Sequence, residues 1–385
     1  MPVLDDLPDV AGRRVLVRTD YNVPLQYHDG PPTVGDDFRM STSLATLRWL
    51  QERGAEVTVC SHLGRPDGVV DQRWSMAPVA ARLAELCPGV DLMENLRFEP
   101  GEKANSSQFA DRLVAGFDAY VNEAFGVAHR AHASVVGPPA RVPSAAGLRL
   151  AKEVEVLGGL LDAPKRPFVV VLGGAKVADK IGVLQALAHK ADVIAVGGAM
   201  AFSFQVALGH SVGASIVDHD HIEECRKLLH SRRTKILLPT DVVALEPGGR
   251  ALGTPLSDAD APADTKVLGS HIPDGWQGLD IGPETAAAFA EAISDAATLL
   301  WNGPVGAFED DRFAAGTERV ARAVAECSGC TVVGGGDSVS AIDHLGLAER
   351  IDFVSTGGGA SLSLLEHGDL PALAALRRAS NAPTS

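Results

Sequence analysis

The chain has 385 residues, of which 46% are hydrophobic, and a formal net charge of −15. At roughly 100–200 residues per domain, this length predicts two domains, each able to bury a core of its own. The acidic balance argues against a general nucleic-acid partner, which needs a basic face, but a few cations that converge in one cleft could still bind a small anion.

The first half alternates short apolar runs with segments of helical periodicity. This pattern predicts strands at Val15–Val17, Val57–Cys60 and Tyr120–Val121, and helices at Ser43–Arg53 and Ala77–Leu86. Residues 143–147 then interrupt the alternation, and residues 148–161 predict one long helix.

The second half restarts with a β-branched run that predicts a strand buried on both faces. The strands predicted here are Phe168–Leu172, Val193–Val196, Ile236–Leu238, Thr298–Trp301, Thr331–Val333 and Asp352–Val354, and the helices are Val177–His189 and Met200–Leu208. Such alternation predicts parallel sheets with helices on both faces. We therefore expect an α/β protein of two doubly wound, Rossmann-like lobes, joined by a hinge helix within residues 148–165.

Cations cluster where the strands of the first half end, and in open α/β sheets ligands bind beyond these carboxyl ends. The cations are Arg18, Arg39, His62, Arg65, Arg97, His129, Arg130 and His132. Because arginine forks suit the oxygens of carboxylates and phosphates, we predict a phosphorylated, carboxylate-bearing ligand at this edge. The alternative is that several of these cations only pair with Asp20, Glu94 or Glu123.

Glycine-rich turns follow the strands of the second half. They are Gly173–Lys180, Gly197–Met200, Asn302–Glu309, Gly334–Ser338 and Gly357–Gly359. Glycine lets the backbone approach a ligand, and the helix that follows offers free N–H groups to a phosphate. Asp337 is placed to hold Mg²⁺ near such phosphates. The alternative is tight turns without a ligand, but their number and two lysines favour an enzyme that moves a phosphoryl group between a nucleotide and a small anion.

Several other classes lack support. The sequence has no GxxxxGK[ST] loop, no GxGxxG fingerprint followed by an acidic residue, and no protein-kinase motif set. No apolar run approaches the ~20 residues of a membrane span, and residues 1–6 lack signal-peptide features, so we expect a cytoplasmic protein without a membrane partner.

Cys327 and Cys330 form a CxxC that could be redox-active or half of a metal site, but we favour two small residues between a helix and a strand.

These motifs, in this order, resemble the phosphoglycerate kinase family, and its bacterial members in particular. The most specific segments are Ser61–Pro66, Ala124–Ala133, Gly173–Gly182, Trp301–Phe308 and Gly334–Ser338. The resemblance implies reversible, Mg²⁺-dependent transfer of the acyl phosphate of 1,3-bisphosphoglycerate to ADP, giving ATP and 3-phosphoglycerate. It also implies direct in-line transfer after hinge closure, in a glycolytic monomer without a nucleic-acid partner.

The resemblance further implies a division of labour along the chain. Residues 1–150 would form the domain that binds 3-phosphoglycerate, with a C-terminal tail of about 365–385 packed back on it. Residues 151–364 would form the nucleotide-binding domain.

Individual residues are implied in the same way. The substrate-binding set is Asp20, Tyr21, Asn22, Arg39, His62, Leu63, Gly64, Arg65, Arg97, His129, Arg130 and His132. The nucleotide-binding set is Gly174, Lys176, Lys180, Gly197, Gly198, Gly278, Asn302, Pro304, Glu309, Gly334, Gly335, Gly336, Asp337 and Ser338. The catalytic set is Arg39, Lys176, Gly335 and Gly336, and the metal would be held by Asp337.

Four positions depart from the usual family pattern. Tyr21 replaces a phenylalanine, Glu123 an aspartate, Ala199 a glycine and Ser338 a threonine. None of these changes removes a charged catalytic group, although Ala199 could crowd the adenine pocket.

Two rival hypotheses make different demands on the sequence. A non-catalytic relative would lack one of four charged residues, all of which are present: Arg39, Lys176, Lys180 and Asp337. A nicotinamide-dependent dehydrogenase on a similar sheet would need the missing dinucleotide fingerprint. An assay with ADP, Mg²⁺ and the acyl phosphate separates these hypotheses.

Overall fold

The computed structural model describes residues 1–27, 30–230, 233–253 and 264–380. The chain divides into two compact units, one formed by Met1–Leu157 with the segment from His367 onward, and the other by Gly158–Glu366. Of the C-terminal tail that the sequence analysis expects to pack back, residues 381–385 lie outside the described residues.

The secondary structure follows in chain order. Up to residue 162 it comprises β1 (Arg14–Arg18), β2 (Leu25–Gln26), β3 (Thr33–Val34), α1 (Phe38–Ser41), α2 (Leu44–Glu52), β4 (Glu56–Cys60), α3 (Ala77–Leu86), β5 (Asp91–Leu92), α4 (Pro100–Lys103), α5 (Ser107–Val114), β6 (Ala119–Asn122), α6 (Ala133–Val136), β7 (Ser144–Ala146) and α7 (Leu148–Asp162). From residue 168 it comprises β8 (Phe168–Leu172), α8 (Ile181–Leu187), β9 (Val193–Val196), α9 (Met200–Ala207), α10 (Ile222–Leu229), β10 (Lys235–Leu237), β11 (Asp241–Leu245), β12 (Thr265–Gly269), β13 (Gln277–Ile281), α11 (Pro283–Ser294), β14 (Thr298–Asn302), α12 (Ala315–Glu326), β15 (Cys330–Gly334), α13 (Gly336–His344), β16 (Phe353–Val354), α14 (Gly359–His367) and α15 (Pro371–Ser380). Among the helices of the described residues, none is both long and apolar enough to cross a membrane.

The first unit is built on a parallel sheet whose described strands run in the order β5-β4-β1-β6-β7. β1 lies at its centre, where Val15 pairs with Val57 of β4 and with Ala119 of β6. Successive side chains of a strand point to opposite faces, so Val15 and Val17 join one apolar cluster while Leu16 joins another. Both faces of this sheet are therefore covered, as parallel sheets require.

Helix α15 belongs to the first unit. The Ala372 N–H donates to the Ala128 carbonyl at 3.1 Å, and Leu373 and Leu376 are buried. Because these side chains repeat at helical spacing, one face of α15 is apolar and packs beside α6.

The second unit is built on a parallel sheet whose described strands run in the order β10-β9-β8-β14-β15-β16. β8 is buried along its whole length, and Val170 pairs with Ile194 on one side and Leu300 on the other. Val171 and Trp301 lie in the same apolar cluster. The two parallel sheets confirm the predicted fold class of two Rossmann-like lobes, and the boundary between the units falls inside α7.

An antiparallel sheet in the second unit was not predicted. Its described strands run in the order β12-β11-β13, and they fall in residues 239–297, where no strand was predicted from the sequence. Val242 and Ala244 of β11 join an apolar cluster with Phe202. β12 is largely exposed, so its side chains do not form the apolar run that indicates a buried strand.

The helix predicted at Val177–His189 begins only at Ile181 in the structure. The Lys180 N–H donates to the Val177 carbonyl in a turn, so residues 177–180 remain part of the preceding loop. The prediction was wrong here because the pattern of apolar residues does not show where this loop ends.

A buried carboxylate, Glu123, caps the start of α7. It accepts hydrogen bonds from the backbone N–H groups of Arg149 and Leu150 at 3.1 Å each and from the Thr46 hydroxyl at 2.6 Å. The N–H groups and the helix dipole favour the charged form. Burial is the larger effect and raises the pKa of Glu123 from its usual 4.5 to about 7.

We expect Glu123 to lower the stability of the folded chain as the pH rises from about 4.5 to about 7. In this window the unfolded carboxyl loses its proton while the folded one keeps it, so the folded state binds more protons and is favoured at the lower pH. A pKa difference of this size corresponds to roughly 3 kcal/mol. Urea unfolding across the window measures it.

The matched variants are Glu123→Gln, which cannot ionise, and Glu155→Gln, which changes an exposed glutamate of α7. The first should remove the part of the pH dependence of the free energy of unfolding that Glu123 contributes, and the second should leave that dependence as in the wild type. An unchanged pH dependence in Glu123→Gln would contradict the role of this carboxyl.

Candidate functional site

Several predicted substrate-binding residues converge at the carboxyl edge of the first sheet. Asp20 joins two of them, because its Oδ2 accepts from Arg39 Nη1 at 2.7 Å and its Oδ1 lies 3.9 Å from His62 Nδ1. Arg18, at the end of β1, places its Nη2 3.3 Å from the same His62 nitrogen. The structure thus brings these four residues together at one end of β1 and β4.

The turn after β4 is fixed by two more predicted residues. The Gly64 N–H donates to Asn22 Oδ1 at 2.8 Å, and the Gly64 carbonyl accepts from Arg97 Nη1 at 2.6 Å. Arg65 follows in the chain and is exposed. The turn therefore presents an exposed guanidinium, that of Arg65, beside the guanidinium of Arg97, which is held in place.

The charges of this edge repel one another. Burial, Arg130 and Arg18 lower the pKa of Arg97 to about 10. Burial, Arg97, Arg18 and Arg130 lower the pKa of His132 to about 4. Burial and Arg130 also lower the pKa of His129. Because an opposite charge favours protonated cations, an anion bound here would relieve this repulsion.

Two residues of the predicted substrate set line the core instead. Tyr21 and Leu63 are 0% and 1% exposed. The Tyr21 hydroxyl lies 2.7 Å from Ser43 Oγ, and burial raises the pKa of this phenol above its usual range. Both side chains therefore support the edge from within and offer no surface to a ligand in this structure.

Sequence reasoning missed two residues that hold this edge together. Ser134 Oγ accepts from Arg18 Nε at 2.9 Å and donates to Glu102 Oε1 at 2.6 Å. Glu102 is completely buried. It lies in the polar stretch 99–106, whose composition is typical of an exposed segment, so no pattern in the sequence signalled its burial.

Backbone rather than charged side chains lines the carboxyl edge of the second sheet. The strand ends there are marked by Gly173, Gly197, Asn302 and Gly334. Lys180 joins two of them, because its Nζ donates to the carbonyls of Gly173 at 2.6 Å and Asn302 at 2.9 Å. Burial lowers the pKa of Lys180 to about 8, against the opposing effect of Asp337 and Asp179.

The start of α13 has the geometry of a phosphate site. Gly335 precedes it with φ +92°, a conformation that favours glycine, and the helix begins at Gly336. The Ser338 hydroxyl accepts from the Gly303 N–H at 2.6 Å, which ties the helix to the turn after β14. The first N–H groups of such a helix, with its dipole, favour bound phosphate.

Asp337 is the candidate metal ligand, and it lies exposed in the first turn of α13. Within the described residues, no group of three or more His, Cys, Asp and Glu side chains could hold a metal ion. Mg²⁺ is usually bound by one or two carboxylates together with substrate phosphates and water. A single carboxylate beside a phosphate site therefore fits Mg²⁺ that arrives with a nucleotide.

The other predicted nucleotide-binding residues differ in exposure. Lys176 and Glu309 are exposed. Gly278 is buried, its N–H donates to Ser215 Oγ at 2.9 Å, and a β-carbon there would lie 2.3 Å from the Phe202 ring. The absence of a side chain at Gly278 thus serves packing against Phe202 in this structure.

The glycine turns approach one another at backbone distance. A β-carbon at Gly173 would lie 1.9 Å from the Pro304 carbonyl oxygen, and one at Gly198 would lie 2.7 Å from the Gly174 nitrogen. These contacts are with backbone, which cannot move aside as a side chain can. Part of the glycine signal in the sequence therefore reflects the close approach of three strand ends.

Cys327 directly follows α12 and Cys330 is the first residue of β15, at the junction between a helix and a strand that the favoured interpretation expected. Cys327 is partly buried and Cys330 is exposed. They are at the amino end of β15, away from the glycine-lined edge, and so take no part in the candidate site.

The chain is similar to known proteins over nearly its whole length. A family model described as phosphoglycerate kinase matches residues 4–91 and 87–368. The phosphoglycerate kinase of Rubrobacter xylanophilus is 47% identical to this chain, and the alignment covers 96% of each. That of Parafrankia sp. is 48% identical, over 98% of this chain and 100% of the relative.

Two solved structures are similar to this chain over nearly its whole length. The phosphoglycerate kinase from Coxiella burnetii superposes with a TM-score of 0.85 at 32% identity, and 98% of each chain is covered. The phosphoglycerate kinase from Pyrococcus horikoshii superposes with a TM-score of 0.81 at 28% identity, and 99% of each chain is covered.

The glycine turns generate a prediction about stability. Gly173→Ala should destabilise the second unit by about 1–3 kcal/mol, because its β-carbon meets the Pro304 carbonyl. Gly336→Ala is the matched control, since nothing lies within 4 Å of a β-carbon there and α13 keeps its backbone N–H. Denaturant unfolding of both variants measures the difference, and equal stabilities would show that the strand ends are not packed in this way.

Proposed function

Because this chain belongs to the phosphoglycerate kinase family, we propose that it catalyses reversible, Mg²⁺-dependent transfer of the acyl phosphate of 1,3-bisphosphoglycerate to ADP, giving ATP and 3-phosphoglycerate. The acceptor in the reverse direction is a carboxyl group. The observation that carries the proposal is the cluster of cations at the carboxyl edge of the first sheet, where burial and neighbouring arginines lower the pKa of Arg97 and His132.

The substrate side of the proposal rests on that charge. A small phosphorylated carboxylate carries several negative charges, and guanidinium forks bind such oxygens in pairs. Arg65 and Arg130 are exposed and able to meet the ligand, whereas Arg97 is almost completely buried and fixes the turn at Gly64. Arg39, half-exposed and held by Asp20, would stabilise charge on the acyl phosphate.

The nucleotide side of the proposal rests on backbone and helix geometry. The first N–H groups of α13, at Gly335 and Gly336, would bind nucleotide phosphate. Lys180 would contact the same phosphates, and Asp337 would hold Mg²⁺, which supplies charge neutralisation when bound. Glu309 would bind the ribose.

Phosphoryl transfer needs positioning and charge stabilisation more than covalent chemistry. We propose that the phosphoryl group passes directly and in line, without a phosphoenzyme, after closure about a hinge. Water must be excluded at that moment, since it would compete as acceptor. We further propose a cytoplasmic, glycolytic monomer with residues 1–150 and the C-terminal tail binding the glycerate and residues 151–364 binding the nucleotide.

The direct test is an assay of the purified chain with ADP, Mg²⁺ and freshly generated 1,3-bisphosphoglycerate. ATP should form at a rate that depends on all three, and removal of Mg²⁺ with EDTA should abolish it. A folded chain that forms no ATP would refute the proposed activity.

Lys176→Ala is expected to lower kcat by ~10²–10³-fold with a much smaller rise in KM, because the lost ammonium stabilises charge that develops in transfer. Arg39→Ala should behave similarly. Lys190→Ala is the control, since this exposed lysine precedes β9 at the opposite end of the sheet. Steady-state kinetics measure the split, and a near-normal kcat in Lys176→Ala would remove Lys176 from the catalytic set.

A further inference from the structure

We infer that Arg18 is a positioning residue, which holds His62 as a neutral imidazole with its proton on Nε2, so that His62 offers the substrate a single N–H donor. The inference rests on the proposed function only for the identity of that substrate. The state of the His62 ring follows from the contacts of the first unit alone.

The guanidinium of Arg18 donates in three directions. It is 1% exposed, its Nε donates to Ser134 Oγ at 2.9 Å, and its Nη1 donates to the Thr19 carbonyl. The remaining Nη2 lies 3.3 Å from His62 Nδ1. A guanidinium has five donors and no acceptor, so His62 Nδ1 must accept this hydrogen bond and the ring proton must sit on Nε2.

Within the part of the chain that the structure describes, no carboxylate lies within hydrogen-bond distance of His62 Nδ1, as the other tautomer would need. The carboxylate nearest to His62 Nδ1 is Asp20, whose Oδ1 is 3.9 Å away, beyond hydrogen-bond distance. Its Oδ2 is already bonded to Arg39 at 2.7 Å. A proton on Nδ1 would instead point at the Arg18 guanidinium, where both groups would be donors.

The doubly protonated ring is disfavoured as well. Burial lowers the pKa of His62 well below its usual value, and four arginines act in the same direction. These are Arg18, Arg97, Arg130 and Arg39. Asp20 is the facing carboxylate, and its distance of 3.9 Å and its pairing with Arg39 leave it too weak to reverse their effect.

A buried chain of hydrogen bonds holds Arg18 in this position. Glu102, which is completely buried, accepts from the Ser134 hydroxyl at 2.6 Å and from the Ser134 N–H at 2.8 Å. Because the Ser134 hydroxyl donates to Glu102, its lone pairs face Arg18 Nε. Glu102 thus compensates the Arg18 charge through Ser134, and this arrangement turns the guanidinium toward His62.

A neutral His62 has a consequence for binding. Its Nε2–H can donate to a phosphate or carboxylate oxygen without adding another positive charge to the arginines around it. The contribution of His62 to substrate affinity should therefore stay constant as the pH passes through about 6.5, where an unperturbed histidine titrates.

The test is a long-range ¹H–¹⁵N correlation spectrum of the full chain with ¹⁵N-labelled histidine, in which His62 is assigned by the signals that disappear in His62→Gln. In the wild type we expect a protonated Nε2, an unprotonated Nδ1, and no change from about pH 5.5 to pH 8. A protonated Nδ1, or an imidazolium near pH 7, would overturn the role given to Arg18. This result does not depend on whether the chain has kinase activity.

Two variants test the buried chain, Ser134→Ala and the isosteric Glu102→Gln. Either should admit the second tautomer or a titration of His62, and should raise KM for 3-phosphoglycerate by roughly 3–10-fold with KM for ATP unchanged. Ser144→Ala, another buried serine of the same unit, is the control and should match the wild type. Unchanged His62 nitrogens in both variants would show that Ser134 and Glu102 do not position Arg18.

Discussion

The structure of the first unit depends on the interactions that hold several cations together at one end of its sheet, although the chain as a whole is acidic. A buried guanidinium is tolerated only when its N–H groups are bonded and its charge is compensated, and Arg18 meets both conditions through Ser134 and Glu102. This arrangement allows the more exposed Arg65 and Arg130 to add their charge at the surface. The positive charge at the surface of this edge therefore lies next to a buried guanidinium whose own charge is compensated.

In the second unit, backbone groups rather than arginine side chains line the ends of the strands. Its strand ends present carbonyl and N–H groups of glycine, and its side-chain cations are few. Three turns approach so closely that a β-carbon at Gly173 would overlap the Pro304 carbonyl, and Ser338 fixes the start of α13 to Gly303. Rigid backbone dipoles, rather than a field of arginines, define this edge, which suits a ligand whose phosphates lie along a helix N-terminus.

The sequence predicted both parallel sheets and their strand ends because buried strands such as Phe168–Leu172 are uninterrupted apolar runs. It missed β12, which is exposed and so lacks that pattern. It also placed the start of α8 at Val177 instead of Ile181, because the apolar pattern does not show the backbone turn that keeps residues 177–180 in the loop. The burial of Glu102 was also hidden, since its partners come from distant parts of the chain. Periodicity reports what a segment buries, but not which polar groups meet across the fold.

The bonds that Lys180 makes have a consequence for any nucleotide at this edge. Its ammonium has three N–H donors, and two of them already reach the carbonyls of Gly173 and Asn302, so an incoming phosphate either accepts from the third donor or displaces one of these carbonyls. Where a carbonyl is displaced, the phosphate gains only the difference between two hydrogen bonds that are each worth about 1.5–3 kcal/mol. The two carbonyls therefore limit how much affinity Lys180 can add for a phosphate at this edge.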